Sequence, residues 1–311
     1  MRSSQLEFRD FSATDADALL PLRNHFQPAD DPLEVWQQRD SSPDQRQQVF
    51  QTAWLEGQIV GFVRIIESSA DVLNLSLAVQ GKRRGQGIGS RLWEHLRVRA
   101  QSFTAQRWQT GLRDPSVAAL RFLERRGFAV RERSIYSHLS LTAPVNLGLV
   151  SQLERGGYRF CTLQSAGDTS VNRQKLYWLV RETVMDDPGF EGEFETLKQF
   201  SQMADAWYWN EAATRYLAIH GDEWVALNGL HPKPNQSFIE TGLTGVIKTH
   251  RGRGLAQAVK LVAIADAVKR GYSEVRTNND SRNAAMLAIN RKLGFQPVSE
   301  FVWFERESSA G

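Results

Sequence analysis

Cysteine is almost missing from this 311-residue chain: Cys161 stands alone, so no internal disulfide can form. It lies in an apolar stretch, Tyr158-Arg-Phe-Cys-Thr-Leu163, that reads as a strand, where a thiol is a buried inert side chain rather than a nucleophile. The six histidines are scattered, and no Cys/His pair has ligand spacing, so a zinc site has no support. No apolar run approaches the roughly 20 residues of a membrane span. The segment Met1 to Asp10 carries acidic and polar residues where a secretory signal needs its apolar stretch, and a cytoplasmic location is expected. Charge of one sign is also scarce: the net charge of +3 does not by itself argue for nucleic acid. What the chain does have is an apolar share of 41% against 23% charged residues, enough for real cores, and a length that predicts about two domains.

Glycine is spent on one loop that occurs twice, Arg84-Gly85-Gln86-Gly87-Ile88-Gly89 and Arg251-Gly252-Arg253-Gly254-Leu255-Ala256. Each copy follows a short apolar strand and opens a helical pattern, and each is followed 43 residues later by Gly-Phe, at Gly127 and Gly294. The halves superpose at a constant offset of 167 residues without a gap. Self-similarity of this kind means two copies of one domain. The predicted boundaries are 1–141 for the first, a Pro/Asn/Gly-containing linker at 142–150, and 151–311 for the second.

The first copy reads as a strand at Leu6 to Phe11, a capped helix start at Thr14, a hairpin from Trp54 to Ile65 turning at Gly57, and a strand ending at Val79. A helix from Ser90 to Phe103 follows the loop, with Ile88, Leu92 and Leu96 on one face. A strand at Trp108 to Leu112, a helix at Ser116 to Arg126 and a strand at Ser134 to Leu141 complete it. The second copy repeats the order, from Tyr158 to a last helix at Ala284 to Leu293, with a hairpin turning at Gly221-Asp222. Alternating strands and helices predict an α/β fold with a mixed sheet in each half.

A strand that ends in a glycine-rich turn and enters a helix aims several backbone N–H groups at one spot, at the positive end of the helix dipole. The glycines let a ligand approach the backbone, and Arg84 and Arg251 add charge. In physical terms this is a pyrophosphate cradle. A Walker loop is excluded because neither copy has Gly-Lys-Ser/Thr at the required spacing. The dinucleotide fingerprint is excluded because Leu92 and Gln257 stand where its third glycine or alanine belongs.

The segments Val79 to Gly89 and Val246 to Ala256 resemble the GNAT acetyltransferase motif Arg/Gln-x-x-Gly-x-Gly/Ala. Phe122 to Phe128 and Met286 to Phe295 resemble the family's next motif. The resemblance covers both halves and implies two tandem GNAT-type domains, each a mixed, mostly antiparallel sheet flanked by helices. It further implies acetyl-CoA as co-substrate, with its pyrophosphate on the loop amides and its pantetheine along the preceding strand. The residues so assigned are Ala78, Val79, Arg84, Gly85, Gln86, Gly87, Ile88 and Gly89 in the first half. In the second they are Val246, Ile247, Arg251, Gly252, Arg253, Gly254, Leu255 and Ala256, together with Asn278 and Asn283 toward the pantetheine amides.

Comparing the copies at the offset of 167 matches Glu240 with Leu73, Asn278 with Gly111, Asn279 with Leu112 and Asn283 with Ser116. The first half keeps its phosphate loop and loses polar groups, which predicts a catalytic second half and a degenerate first. An amine acceptor must lose a proton before it attacks a thioester. Glu240 occupies the strand on which the histone-acetyltransferase branch of the family places its glutamate base. Many members place a tyrosine acid five residues before the Phe of Gly-Phe, but Leu123 and Asn290 stand there.

The acceptor is expected to be a small-molecule or peptide amine. Asp186 to Glu195 holds five carboxylates in ten residues, followed by Trp207-Tyr-Trp209, a combination that attracts a cationic amine and equally describes a solvated acidic loop with core aromatics. The corresponding stretch of the first half, Asp30 to Gln48, mixes signs. Two further readings stay open: turnover in both halves on different acceptors, and an acetyl-CoA-binding sensor without turnover. Binding of nucleic acid through Lys82 to Arg84 and Arg251 to Arg253 is disfavoured, because a cofactor loop explains the same residues.

Overall fold

The computed structural model describes residues 6–23, 48–187, 190, 192–203 and 211–308. The chain runs β1 (Glu7–Asp10), α1 (Ala16–Arg23), β2 (Gln48–Leu55), β3 (Gln58–Ser69), β4 (Val72–Val79), α2 (Ile88–Ala100), β5 (Arg107–Arg113), α3 (Val117–Glu124) and β6 (Ala129–Ser140). It continues with α4 (Gly148–Arg155), β7 (Tyr158–Thr162), α5 (Leu163–Ala166), α6 (Ser170–Val184), α7 (Leu197–Met203), β8 (Arg215–His220), β9 (Glu223–Pro232), β10 (Phe238–Val246), α8 (Leu255–Lys269), β11 (Glu274–Asp280), α9 (Ala284–Leu293) and β12 (Gln296–Glu307). None of the described helices is long and apolar enough to cross a membrane.

Two compact units emerge, Met1–Arg133 with Ser299–Gly311, and Ser134–Val298. This differs from the expected division at 141 and 151. Most of β6 belongs to the second unit, where Ser134 to Ser140 pair antiparallel with β11. The strand β12, which the periodicity did not mark, belongs to the first, where Phe301 to Glu307 pair antiparallel with β5. Each unit thus takes its final strand from the other half of the sequence.

In the first unit the strand order is β1-β2-β3-β4-β5-β12. The hairpin between β2 and β3 closes at Glu56-Gly57, both with positive φ (54° and 77°), the backbone of a type I′ turn that suits the strand twist. Leu92, Leu96 and Ala100 recur at helical spacing on α2 and are buried against Val63, Ile65 and Leu73, and Val302 and Phe304 of β12 join the same cluster. In the second unit the order is β6-β11-β10-β9-β8-β7. Its helix α8 is apolar around much of its circumference and buries Leu255, Ala258, Val259, Ala263, Ile264 and Ala267.

In both sheets every pairing is antiparallel except one, β4 with β5 and β10 with β11. Those parallel contacts last only three residues, Val72 to Asn74 against Arg107 to Gln109, and Phe238 to Glu240 against Glu274 to Arg276. Beyond them the strands part, and each glycine loop sits at the end of the strand that has diverged.

Candidate active site

The loops have the same backbone in both units. A 3-10 turn at Gly81–Arg83 or Lys248–His250 leads into Gly85 and Gly87, or Gly252 and Gly254, all four with φ between 76° and 82°. A side chain at these positions would be strained by that φ. At Gly85, Gly87 and Gly252 a Cβ would meet nothing within 4 Å, so the demand there is conformational and the space above the loop is open. Among the described residues no acceptor takes the amides of Gly85, Gln86 and Gly87, nor those of Gly252, Arg253 and Gly254. They precede helices α2 and α8, whose first-turn amides are also free of intrahelical partners. The Nε of Arg84 donates to the Val79 carbonyl at 3.1 Å and that of Arg251 to the Val246 carbonyl at 2.9 Å, so each arginine ties its loop back to the strand end.

In the first unit the loop opens into a cavity of about 440 Å³ between the diverged β4 and β5, with Trp93 of α2 and Phe122 and Leu123 of α3 in its walls. The lining includes Ala78, Val79, Arg84, Gly85, Gly87 and Gly89, six of the eight residues expected there. Gln86 is exposed and donates from its side chain to the Lys82 carbonyl, while Ile88 is buried in the core beneath the loop. The wall is chiefly apolar and suits a flexible chain such as pantetheine.

The second unit presents the same frame with other side chains. Leu255 and Ile247 are buried in the core, leaving their backbone to the loop. Val246 is half-buried at the end of β10, and Ala256 stands where the first loop has Gly89. Arg253 donates to the Tyr158 hydroxyl at 2.9 Å, and that hydroxyl lies 3.0 Å from His250 Nδ1. Arg251 and Lys248 both reach the Asp186 carboxylate, at 2.6 and 3.0 Å, and these cations hold that carboxyl below the ordinary aspartate range. Arg84 has no such carboxylate among the described residues.

A bulge in β10 distinguishes the second unit from the first. The register of β10 against β9 shifts between Thr241 and Thr244, whereas β4 runs against β3 without interruption over Leu73 to Val79. Buried Asn228 of β9 spans the bulge, donating to the hydroxyls of Thr241 and Thr244, both at 2.8 Å. The extra residue alters the correspondence drawn from the sequence. Ile239 pairs with Val275 as Leu73 pairs with Trp108, so Ile239 occupies the place of Leu73, and Glu240 occupies that of Asn74. Glu240 is half-buried, next to the point of divergence, and its carboxylate is 3.1 Å from Lys233 Nζ.

Of the asparagines, Asn283 caps α9, accepting from the Met286 amide at 3.1 Å, and its Nδ2 donates to Asp187 at 3.4 Å. Asn278 is exposed and lies on the face of β11 opposite Asn279, so it is not the residue that faces the cleft. Asn279 corresponds to Leu112, which lines the first cavity, and accepts a 2.7 Å hydrogen bond from Asn290. In the acidic stretch, Asp186 engages the loop, Asp187 the α9 cap, and Phe194 packs on Tyr177. Pro188, Gly189, Glu191, Trp207 to Trp209 and residues 30–47 lie outside the described residues. Cys161 is half-buried on β7, where burial pushes its thiol pKa up and keeps it protonated.

The model of the acetyltransferase (GNAT) family matches residues 15–128 and again 180–295. The chain belongs to the GNAT family. It carries two GNAT repeats. It is 25% identical over 229 residues to the mycothiol acetyltransferase of Renibacterium salmoninarum, an alignment that takes in 71% of this chain and 63% of that protein's length. A GCN5-related N-acetyltransferase from Sphaerobacter thermophilus has the same fold, with a TM-score of 0.75, 20% identity and coverage of 98% of this chain and 96% of that one. A tandem GNAT protein from the clavulanic acid biosynthesis pathway superposes with a TM-score of 0.66 at 18% identity, covering 99% and 100%.

Three polar residues of the second unit escaped the sequence reading. Asn290 appeared there only as a missing tyrosine; it is 2% exposed, and its Oδ1 takes no hydrogen bond. Asn228 carried no motif. Lys260 lay in a helical stretch whose neighbours are apolar, and the signal was its offset of 167 from Trp93.

Proposed function

We propose that this GNAT protein is an acetyltransferase that moves the acetyl group of acetyl-CoA to a primary amine by direct attack, with both substrates bound at once. The reading rests on the paired loops: backbone conformations that admit a close ligand, unpaired amides, and, at the first, an opening into a cavity of about 440 Å³. Those features fit a pyrophosphate followed by a slender chain. When bound, acetyl-CoA supplies the activated acetyl thioester. The chain's own contribution is to hold an anion on the amides of Gly85 to Gly87 and Gly252 to Gly254, and to guide the adjoining arm along β4 or β10.

Catalysis is assigned to the second unit and binding without turnover to the first, because Thr244, Asn279 and Asn290 stand where the first has Leu77, Leu112 and Leu123, and the carboxylate of Glu240 stands where the first has the neutral amide of Asn74. Glu240 is assigned the proton that a cationic acceptor amine must lose, and the acceptor's ammonium takes the place that Lys233 holds at 3.1 Å. The acceptor class is a small molecule or peptide carrying an amine.

The deciding experiment is release of coenzyme A thiol from acetyl-CoA across polyamines, aminoglycosides, amino acids and lysine peptides, with Glu240→Gln in parallel. Acceptor-dependent release that falls at least 100-fold in the variant is expected. Release that survives the substitution removes Glu240 as the base. A second reading, an acetyl-CoA sensor without turnover, draws on the ion pairs that Asp186 makes across the second loop; it requires cofactor binding with no thiol release for any acceptor.

A further inference from the structure

Lys260 is 2% exposed on α8, and no described residue forms a hydrogen bond or ion pair with it. Its Nζ stands 5.4 Å from the centroid of the Phe295 ring. Lysine is almost never found so deep without a carboxylate. The internal repeat shows what the position is for. The elements of the two units correspond at the offset of 167: α2 begins at Ile88 and α8 at Leu255, β5 at Arg107 and β11 at Glu274, α3 at Val117 and α9 at Ala284. At this offset Lys260 corresponds to Trp93 and Phe295 to Phe128, and both of those line the first cavity, with ring centroids 5.8 Å apart. Leu123 and Leu112, also in that lining, correspond to Asn290 and Asn279. At the positions where the first cavity is walled by Trp93, Leu123 and Leu112, the second unit therefore carries Lys260, Asn290 and Asn279, with the Asn290 Oδ1 unpaired.

Nothing else charged accounts for the lysine. On the neighbouring elements Arg215 of β8 donates to the Leu230 carbonyl, Tyr216 of β8 bonds Asp266 of α8, and Glu240 of β10 pairs with Lys233. Glu223 of β9 faces His250, His231 of β9 lies 3.5 Å from Arg215, and Glu154 and Arg155 of α4 and Arg291 and Lys292 of α9 are exposed. Burial alone lowers the Nζ pKa from 10.5 to about 7. An amine that exchanges its proton near neutrality is suited to acid–base work.

We propose that Lys260 is the acid–base residue of the second cleft, delivering a proton to the departing thiolate in the absence of a tyrosine at the position of Asn290. This rests on the reading of the protein as an acetyl-CoA-dependent transferase. The proton balance closes within the site. As the new C–N bond forms and the C–S bond breaks, the Lys260 ammonium gives one proton to sulfur. The neutral amine then regains one from the nitrogen of the newly acylated acceptor.

The test uses the full chain, Lys260→Met and Lys260→Arg, with Nζ followed by NMR of ¹⁵N-lysine-labelled protein in the presence and absence of coenzyme A. One resonance, absent from Lys260→Met, is expected to titrate near neutrality and to shift when coenzyme A is added. With an acceptor in hand, Lys260→Met is expected to lose about 100-fold in kcat and to lose the alkaline limb of the pH profile near 7, while KM for acetyl-CoA changes little. Coenzyme A that binds by calorimetry but leaves the Lys260 resonance unmoved overturns the proposal and spares the functional reading. No binding of coenzyme A at all overturns both.

Discussion

Replacing Lys260 by methionine should make the protein more stable at pH 7, and the gain should shrink as the pH rises. Methionine has similar reach and no charge, so it fills the same space over Phe295 without the cost of burying an ammonium. The folded-state pKa of about 7 lies below the ordinary value of 10.5, so between these values the unfolded chain holds more protons than the native one. Stability from this group therefore rises with pH across that window; below 7 the penalty is complete and flat, and above 10.5 it is gone. The drop from 10.5 to about 7, at 1.36 kcal/mol for each pH unit, puts the full penalty at roughly 4–5 kcal/mol. From pH 7 to pH 9 the wild-type chain should recover about 2 kcal/mol relative to Lys260→Met. Urea denaturation of both proteins at pH 6, 7, 8 and 9, followed by far-ultraviolet circular dichroism, reads this difference. A gap independent of pH, or a methionine variant less stable than wild type at pH 7, would refute the argument by showing that the ammonium is solvated or paired in the native state.

At the second loop, Asp186→Asn removes the carboxylate that engages Arg251 and Lys248, so coenzyme A should bind that loop more tightly, by up to about five-fold, the scale of a partly exposed ion pair. Calorimetry at low and high salt checks this, and unchanged or weaker binding counts against competition for the loop. In the first unit a Cβ on Gly111 would lie 2.4 Å from the Phe301 ring, so Gly111→Ala should cost about 1–3 kcal/mol by overpacking. Adding Phe301→Leu should return part of that loss, and strictly additive effects would mean that the two positions do not share the space.

Much of the site was legible because its demands are local. A left-handed backbone at Gly85, Gly87, Gly252 and Gly254 can be met cheaply only by glycine, so the loops stand out in one sequence, and their repetition at a fixed offset fixed their equivalence. The helices α2 and α8 and the strands before them followed from apolar spacing. The bulge in β10 was not legible: it adds one residue between Glu240 and the loop, yet the gap-free offset of 167 runs straight through it, and only the pairing partners reveal that Glu240 stands in the place of Asn74. Lys260 was hidden by its neighbours, since a helix rich in buried alanine, valine and leucine gives no sign of where one long cationic side chain ends.

The sequence by itself determined that there are two copies of one α/β unit, where their loops lie and which family they resemble, because each depends on near neighbours along the chain. Only the tertiary structure decided which final strand completes which sheet. The two candidate ladders have the same register: Ser134 pairs with Asp280 and Phe301 with Arg113, and both partners are related by the same offset of 167. Counting residues therefore cannot distinguish an exchanged strand from a retained one. Side chains across the ladder do. Gly111 leaves room for the rings of Phe301 and Trp303, where Asn278 of β11 carries a side chain. Glu307 faces Arg107 on β5, whereas the corresponding residue of β11 is Glu274, which instead has His138 of β6 at 3.4 Å. Volume and charge at those few contacts exist only once the strands lie side by side.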